Sequence, residues 1–318
     1  MNWTPEVGET GITYASMPRV SVLIPSYNHA RYLPAALESV FAQTYTDYEI
    51  VVVDDGSTDN SVAVLQSYGE RIRLFVQPNR GTYPTLNRCI AESHGEYLAI
   101  LNSDDLWAPT KLEKQVAMLD SHPEVGLVHT GGYFIDSEGN ILPGNPLGFE
   151  WPRTPTGNII EALVRCNKII ASSVLIRRMC FEKLGGFRED LFGSGDWEMW
   201  FRVALEYDIG YIDEPLTLYR VHGSNASFQH RRVYEDDVKV RTETIHAHEA
   251  RLWQRATHPK AMRRALAHSY ACLGTEYALL GDRKRARQAY LRSLQLYPLR
   301  FKSLLRWGLT WLPIKPPL

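Results

Sequence analysis

The chain of 318 residues is 44% hydrophobic and 22% charged, a globular make-up with room for two domains that excludes a disordered or fibrous protein. Its formal net charge of −1 conceals an uneven distribution: residues 1–230 carry 17 Lys and Arg against 29 Asp and Glu, whereas residues 231–318 carry 18 against 7. An acidic body followed by a basic extension is expected, with no nucleic acid partner, and the scattered Cys89, Cys166, Cys180 and Cys272 argue against a zinc site or a disulfide scaffold.

Residues 1–17 have neither a basic start nor an apolar core, so they read as a leader and not as a signal peptide. No apolar run approaches the roughly 20 residues of a spanning helix, and a cytoplasmic protein is expected. Residues 20–25 (Val-Ser-Val-Leu-Ile-Pro) are an apolar strand, and Ser26-Tyr27-Asn28-His29 a loop. Leu33, Leu37, Val40 and Phe41 recur at helical spacing. Residues 49–53 form a second strand that ends in Asp54-Asp55-Gly56-Ser57-Thr58-Asp59, where Gly56 suits a tight turn. A short helix from Val62, a strand at 72–76 and a helix marked by Leu86, Cys89 and Ile90 follow. The fourth strand, 97–101, runs into Asn102-Ser103-Asp104-Asp105. Short alternating strands and helices predict an α/β fold with a parallel sheet and right-handed crossovers.

Three of these strands end in polar or acidic groups, and ligands of open α/β sheets bind at the carboxyl ends of strands. Acidic groups far apart in sequence therefore converge on one edge. Adjacent carboxylates there suit a hard divalent ion with a phosphate partner. No Gly-x-Gly-x-x-Gly follows the first strand and no Walker pattern is present.

The set Val-Ser-Val-Leu-Ile-Pro-Ser-Tyr-Asn (20–28), Val-Val-Asp-Asp-Gly-Ser-Thr-Asp (52–59) and Leu-Asn-Ser-Asp-Asp (101–105) resembles the family 2 glycosyltransferases in order and spacing, over roughly residues 18–225. The resemblance implies a GT-A fold, a mainly parallel Rossmann-like sheet, for residues 18–230. It also implies a nucleotide-sugar donor, with UDP favoured, a divalent metal (Mn²⁺ or Mg²⁺), and inverting transfer to the hydroxyl of a glycan or lipid-linked acceptor. By the same resemblance Pro25, Ser26 and Tyr27 border the base, and Asp55 accepts a hydrogen bond from uracil. Asn87 fits the segment before the metal motif, though Leu86 stands where many members have Arg and Arg88 is one position away. Asp104 takes the last place of the family's Asp-x-Asp metal motif. Asn102 departs from its first place and is left to bond a ribose hydroxyl or a metal-bound water, with Ser103 beside it. Asp105 either supports the metal indirectly or caps the next helix.

Asp196, in Gly-Ser-Gly-Asp-Trp-Glu, is the implied base, at the start of a helix marked by Trp197, Trp200 and Phe201. An ordinary N-cap Asp is the competing explanation, Glu198 is the second candidate, and Gly193 and Gly195 would leave room for an acceptor. In Tyr219-Arg220-Val221-His222, His222 is a candidate metal ligand and Arg220 a candidate phosphate contact. The Gln-x-x-Arg-Trp motif of processive members is absent, which favours one sugar per cycle. Gly131-Gly132 and residues 143–155 read as loops, and Trp151 either stacks on a sugar or anchors its loop. The alternative function, kept open by Asn102, is a silent sugar-nucleotide binder that acts through its tail.

Residues 231–318 are expected to form a basic helical extension. Ala271, Gly274, Tyr277, Gly281, Ala286, Tyr290 and Pro298 resemble one tetratricopeptide repeat, which cannot bury both its faces alone and is expected to pack on the body as a helical hairpin. Basic residues followed by Leu304, Leu305, Trp307, Leu309, Trp311, Leu312 and Ile314 suggest peripheral contact with the inner face of an anionic membrane; a solvated repeat face with a docked tail is the competing explanation.

Overall fold

The computed structural model describes residues 17–311 except positions 145, 149, 224, 226 and 227; the leader up to residue 16 and the expected apolar contributors Leu312 and Ile314 lie outside the described residues. Strands β1 (Val20–Ser26), β2 (Tyr48–Asp54), β3 (Arg73–Val76) and β4 (Tyr97–Ile100) alternate with helices α1 (Leu33–Phe41), α2 (Ser61–Gln66) and α3 (Thr82–Ala91). Pro34 lies in the first turn of α1, where its missing N–H breaks no helical bond. The chain continues through β5 (Leu106–Trp107), α4 (Lys111–Ser121), β6 (Val125–Ile135), α5 (Ile160–Arg165), β7 (Leu175–Arg177), α6 (Arg178–Leu184), α7 (Gly195–Glu206) and β8 (Asp208–Arg220). Helices α8 (His230–Lys239), α9 (Glu249–Arg255), α10 (Pro259–Leu279), α11 (Arg283–Leu296) and α12 (Phe301–Leu309) follow.

Among the described residues the strands form one eight-stranded sheet in the order β3-β2-β1-β4-β7-β6-β8-β5. The half that the sequence makes legible, β3-β2-β1-β4, is parallel. The other half is mixed: β7 runs antiparallel to β4 and β6, β6 is parallel to β8, and β5 is antiparallel to β8. The chain reaches β7 through a 3₁₀ turn, Ala171–Ser173, whose Ser172 hydroxyl bonds the Asn102 N–H at 3.1 Å just past β4. It therefore enters β7 from the edge where β4 ends, and must run back.

Alternation along the strands gives each face its own core. Val20, Val22 and Ile24 of β1 bury against Leu33, Leu37 and Val40 of α1 and Leu112 and Leu119 of α4. Leu23 of the same strand, with Val51, Val53, Leu98 and Ile100, buries on the opposite face among α3, α5 and α7. That second core does not stop at β8. Val240 and Ile245 in a π-helical turn after α8, Leu252 of α9, and Met262, Ala265 and Leu266 of α10 belong to the same cluster as Trp200 and Phe201 of α7. A buried ion pair ties the same region: Arg241 Nε lies 2.9 and 3.1 Å from the Glu276 carboxylate, and its Nη1 donates to Ser269 Oγ and the Arg165 carbonyl. α10 and α11 form a hairpin in which Gly274 lets the Tyr290 ring lie against the helix; a Cβ there would sit 2.8 Å from that ring.

Gly131 and Gly132 lie inside β6 and not in a loop. The register slips at both positions, and the missing side chains let the Glu214 backbone and the Trp151 ring approach the strand. Trp151 donates from Nε1 to the Thr130 carbonyl at 3.1 Å and packs on Phe134, which makes it a loop anchor.

At the turn after β2, Gly56 has φ +75°, and a Cβ would stand 2.8 Å from Asn79 N and 3.1 Å from the Gln77 carbonyl. Only glycine lets the 77–81 segment lie on this turn. Gly56→Ala is expected to lower stability by about 2–4 kcal/mol, from the positive φ and the backbone clash together, read as a reduced urea midpoint at unchanged slope.

Candidate active site

The sheet register brings the polar strand ends to nearly one level: Ser26 pairs with Asp54 across β1–β2, and Leu23 with Ile100 across β1–β4. The two adjacent acids after β2 then take different directions. Asp54 is fully buried and turns under its own loop, where it accepts from Ser57 N (2.9 Å), Ser57 Oγ (2.7 Å) and Ser26 Oγ (3.4 Å). Asp55 faces the 77–81 segment and accepts from Arg80 N (2.9 Å), Gly81 N (2.8 Å) and Gln77 Nε2 (2.8 Å). Arg88 reaches Asp55 only through Gln77, whose Oε1 accepts from its Nη1 at 3.1 Å. Asn28 adopts φ +54°, a conformation Asn tolerates, and its Oδ1 accepts from Thr58 N at 2.7 Å, so the β1 and β2 loops are clamped together. Beside this clamp Pro25 is half-buried, Ser26 buried and Tyr27 exposed.

The second group of residues gathers where β4 and β8 end. Asp104 Oδ2 lies 2.9 Å from His222 Nε2, and both side chains are nearly buried. His29, from the loop after β1, completes a cluster in which each residue offers one ligand atom within 4.8 Å of the others. Its Nδ1 pairs with Ser103 Oγ at 2.8 Å. Burial pulls the His29 imidazole below its usual range, which favours its neutral form. The Tyr32 ring lies 5.8 Å from that of His29 and 5.0 Å from that of His222, and the Arg220 guanidinium sits 4.8 Å over Tyr32. One carboxylate with two imidazoles fits a first-row divalent ion such as Mn²⁺, and suits Mg²⁺, which takes oxygen, less well.

Asp105 is not exposed at all. Its carboxyl accepts from Arg220 N (2.8 Å), Ser172 Oγ (2.5 Å) and Asn102 Nδ2 (3.4 Å). Burial, reinforced by the Asp104 charge, pushes its pKa well above the usual carboxylate range. The departure at Asn102 thus has a local reason: its amide donates toward Asp105, where an Asp would set a second carboxylate against a buried one. Arg220 is also buried; its Nε donates to the Asp104 carbonyl at 2.7 Å and its Nη1 to the carbonyls of Asp136 and Ser137.

Asp196 is the second residue of α7, and Ser194 holds the N-cap position. Its Oδ1 accepts from Trp197 N (2.6 Å) and its Oδ2 from Asn167 Nδ2 (3.0 Å). The Asn167 amide is itself oriented, since its Oδ1 accepts from Ile169 N at 3.0 Å. Burial pushes the Asp196 pKa up to about 7. Asn167 and Ser172 lie on one short segment, which therefore joins Asp196 to Asp105 and Asn102. Gly195 leaves no open space: a Cβ would lie 2.7 Å from the Tyr83 ring. Glu198 is buried and engaged by Arg202 Nε at 2.9 and 3.0 Å. Asn87 lies outside these groups and fastens the segment after α6 to α3, its amide exchanging bonds with Phe187 N and O at 2.8 and 2.9 Å.

The loop before Asp196 is organised from α8. Asp236 Oδ2 accepts three backbone N–H groups, from Phe192 (2.7 Å), Gly193 (2.6 Å) and Ser194 (3.3 Å), and Asp237 accepts from Ser194 Oγ at 2.7 Å. Sequence reasoning singled out none of His29, Asn167, Ser172 and Asp236 as a site residue. His29 alone had a signal, its place in a loop at the carboxyl end of a strand.

The model of Glycosyl transferase family 2 matches residues 21–185. An uncharacterized glycosyltransferase of Rickettsia felis is 36% identical over 66% of this chain and 35% of its own length, so the chain spans about a third of that relative. One of Rickettsia prowazekii is 31% identical over 69% of this chain and 70% of its own. Chondroitin synthase of Escherichia coli is 27% identical over 73% of this chain and 33% of its own. Among solved structures, S. aureus TarS 1–349 superposes with a TM-score of 0.63 at 18% identity, over 92% of this chain and 87% of that one. The mannosyltransferase PcManGT of Pyrobaculum calidifontis, in complex with GDP-Man and Mn²⁺, superposes at 0.57 with 22% identity, over 95% and 82%. These neighbours share the GT-A fold.

Asp236→Ala leaves three N–H groups without their charged acceptor. It is expected to destabilise the chain by about 2–4 kcal/mol and to speed hydrogen exchange at Phe192, Gly193 and Ser194 before the rest of α7. Uniform exchange across α7 would contradict this account of the loop.

Proposed function

The chain belongs to glycosyl transferase family 2, and from that membership we propose that it is a glycosyltransferase that moves a single sugar from a UDP-sugar to a hydroxyl acceptor, with inversion at the anomeric carbon. The observation that carries the proposal is the meeting at one sheet edge of Asp55, the Asp104–His222 pair and, through the 167–173 segment, Asp196. Asp55 keeps one acceptor site, on Oδ2, beyond those used by Arg80, Gly81 and Gln77, and it suits the imide N–H of uracil. Pro25, Ser26 and Tyr27 border the base. Asn102 and Ser103 lie on the ribose side, Arg220 braces the Asp104 backbone from behind the site, and Asn87 stands apart on the Phe187 backbone. Asp104 and His222 would hold a divalent ion, which would supply positive charge to the leaving diphosphate.

The acceptor oxygen attacks the anomeric carbon on the face opposite the diphosphate, a bond forms to it as the bond to the diphosphate breaks, and the hydroxyl proton passes to Asp196. A base with a pKa near 7 is well matched to this work at neutral pH. The hydrogen bonds from Asn167 and Trp197 keep the carboxylate aimed. Guanine also carries a ring N–H, and TarS has been solved with UDP-GlcNAc and PcManGT with GDP-Man, so base choice is decided by titration and not by fold.

Among the described residues no helix is long and apolar enough to cross a membrane. The outer face of α12 and its flanks nevertheless expose Leu299, Phe301 (76%), Leu305 (66%) and Trp311, with Lys302 interspersed, Arg306 reaching back to the Thr275 hydroxyl and Arg287 against Trp311. We propose that this face rests on an anionic bilayer, because apolar exposure and positive charge coincide there, which suits a lipid-linked acceptor.

Calorimetry with UDP, GDP and dTDP, each with Mn²⁺, is expected to show preferential binding of UDP. Asp196→Asn should keep that binding and lower kcat by about 10²–10⁴. In the wild type kcat/KM should fall about tenfold per pH unit below about 7, because protonation removes the base. Full turnover by Asp196→Asn would reject the base assignment. Vesicles containing phosphatidylserine should co-sediment the wild type, and the Phe301→Glu/Leu305→Glu double variant should bind at least about tenfold more weakly; equal sedimentation would remove the membrane from the proposal.

A further inference from the structure

The family motif accounts for Asp104, and the chain departs from it at Asn102, where a second carboxylate is lost. The cluster around Asp104 contains a residue that no part of this motif includes. His29 follows β1 and is 75 residues before Asp104 in sequence, yet it offers a ligand atom within 4.8 Å of those of Asp104 and His222. The two imidazoles stand edge to face, with centroids 5.7 Å apart and planes at 90°. Ser103 Oγ engages His29 Nδ1 at 2.8 Å, which leaves Nε2 as the other ring nitrogen. A hydrogen bond to one nitrogen is how metal-bound histidines are commonly oriented. The His29 N–H is anchored as well, to Ser61 Oγ at 3.1 Å.

We infer that His29 is a third protein ligand of the divalent ion, so that His29, Asp104 and His222 together form a two-imidazole, one-carboxylate set selective for Mn²⁺ over Mg²⁺. The inference rests on the donor-site assignment above. A strict Asp-x-Asp pair would offer two negative oxygens, which also serve Mg²⁺. Here a neutral nitrogen ligand takes the place of the missing charge. The ion then retains net positive charge after one carboxylate is bound, and that charge is available to the diphosphate. Nitrogen ligands favour first-row transition ions, whereas Mg²⁺ takes oxygen and holds its water.

The test uses the full chain with Mn²⁺ alone, Mg²⁺ alone, and each with UDP, followed by calorimetry and pulsed EPR of bound Mn²⁺. The wild type should bind Mn²⁺ more tightly than Mg²⁺ and show modulation from two ¹⁴N nuclei. His29→Ala and His29→Gln should weaken Mn²⁺ roughly 10- to 100-fold, leave Mg²⁺ affinity nearly unchanged, and show one ¹⁴N. Ser103→Ala keeps the imidazole and should give an intermediate loss with both nitrogens still coupled. Should a His29 variant fail to fold, the wild-type nitrogen count decides, since one ¹⁴N there overturns the inference. Wild-type Mn²⁺ binding that His29→Ala and His29→Gln do not weaken overturns it too, while leaving the donor site standing. No binding of UDP with either ion would overturn the donor-site assignment itself and the inference with it.

Discussion

The buried carboxyl of Asp105 holds the active edge together. It draws the segment after β4, the end of β8 and the Ala171–Ser173 turn to one point, through bonds from Asn102, Arg220 N and Ser172. A carboxyl so deeply buried is costly unless its oxygens are satisfied, and here three donors satisfy it. The arrangement fixes what surrounds it. Asn102 has to present a donor and not a second acid, Asp104 is left to face His222, and the 167–173 segment is held where Asn167 meets Asp196.

The loop before Asp196 is supported from a part of the chain outside the matched family region. Asp236 and Asp237 of α8 gather the Phe192–Ser194 backbone and the Ser194 side chain. α8 leads directly into Val240, Ile245 and the buried Arg241–Glu276 pair, and these share a core with Trp200 of α7 and Met262 of α10. The helical extension is therefore continuous with the catalytic body through packing as well as through chain. Removing one partner of such a pair would strand a buried charge, in the core that the extension shares with α7.

Burial acts in opposite directions on Asp196 and on His29. At Asp196 burial raises the pKa toward neutrality, which makes the carboxylate a stronger base. At His29 burial lowers the imidazole pKa, which favours the neutral form. The same desolvation has opposite effects because it disfavours the charged form in each case.

The sequence by itself determined the parallel half of the sheet, because short apolar runs alternating with helical periodicity leave little choice of topology. It also determined the polar strand ends, because the carboxyl ends of parallel strands must share an edge. Asp54, Asp55 and Asp104 could be located this way, although the opposite directions of Asp54 and Asp55 could not. The mixed half of the sheet was hidden, since β7 is only Leu175–Arg177 and β6 contains Gly131-Gly132, which mimic a loop. Tertiary structure alone decided that His29 stands with Asp104 and His222, that Asn167 bonds Asp196, and that Asp236 orders the Phe192–Ser194 loop. Each of these contacts joins residues at least 29 positions apart. Local periodicity carries no information about such pairs, because they meet only where separate strand and helix ends are brought to one place by the packing of the core.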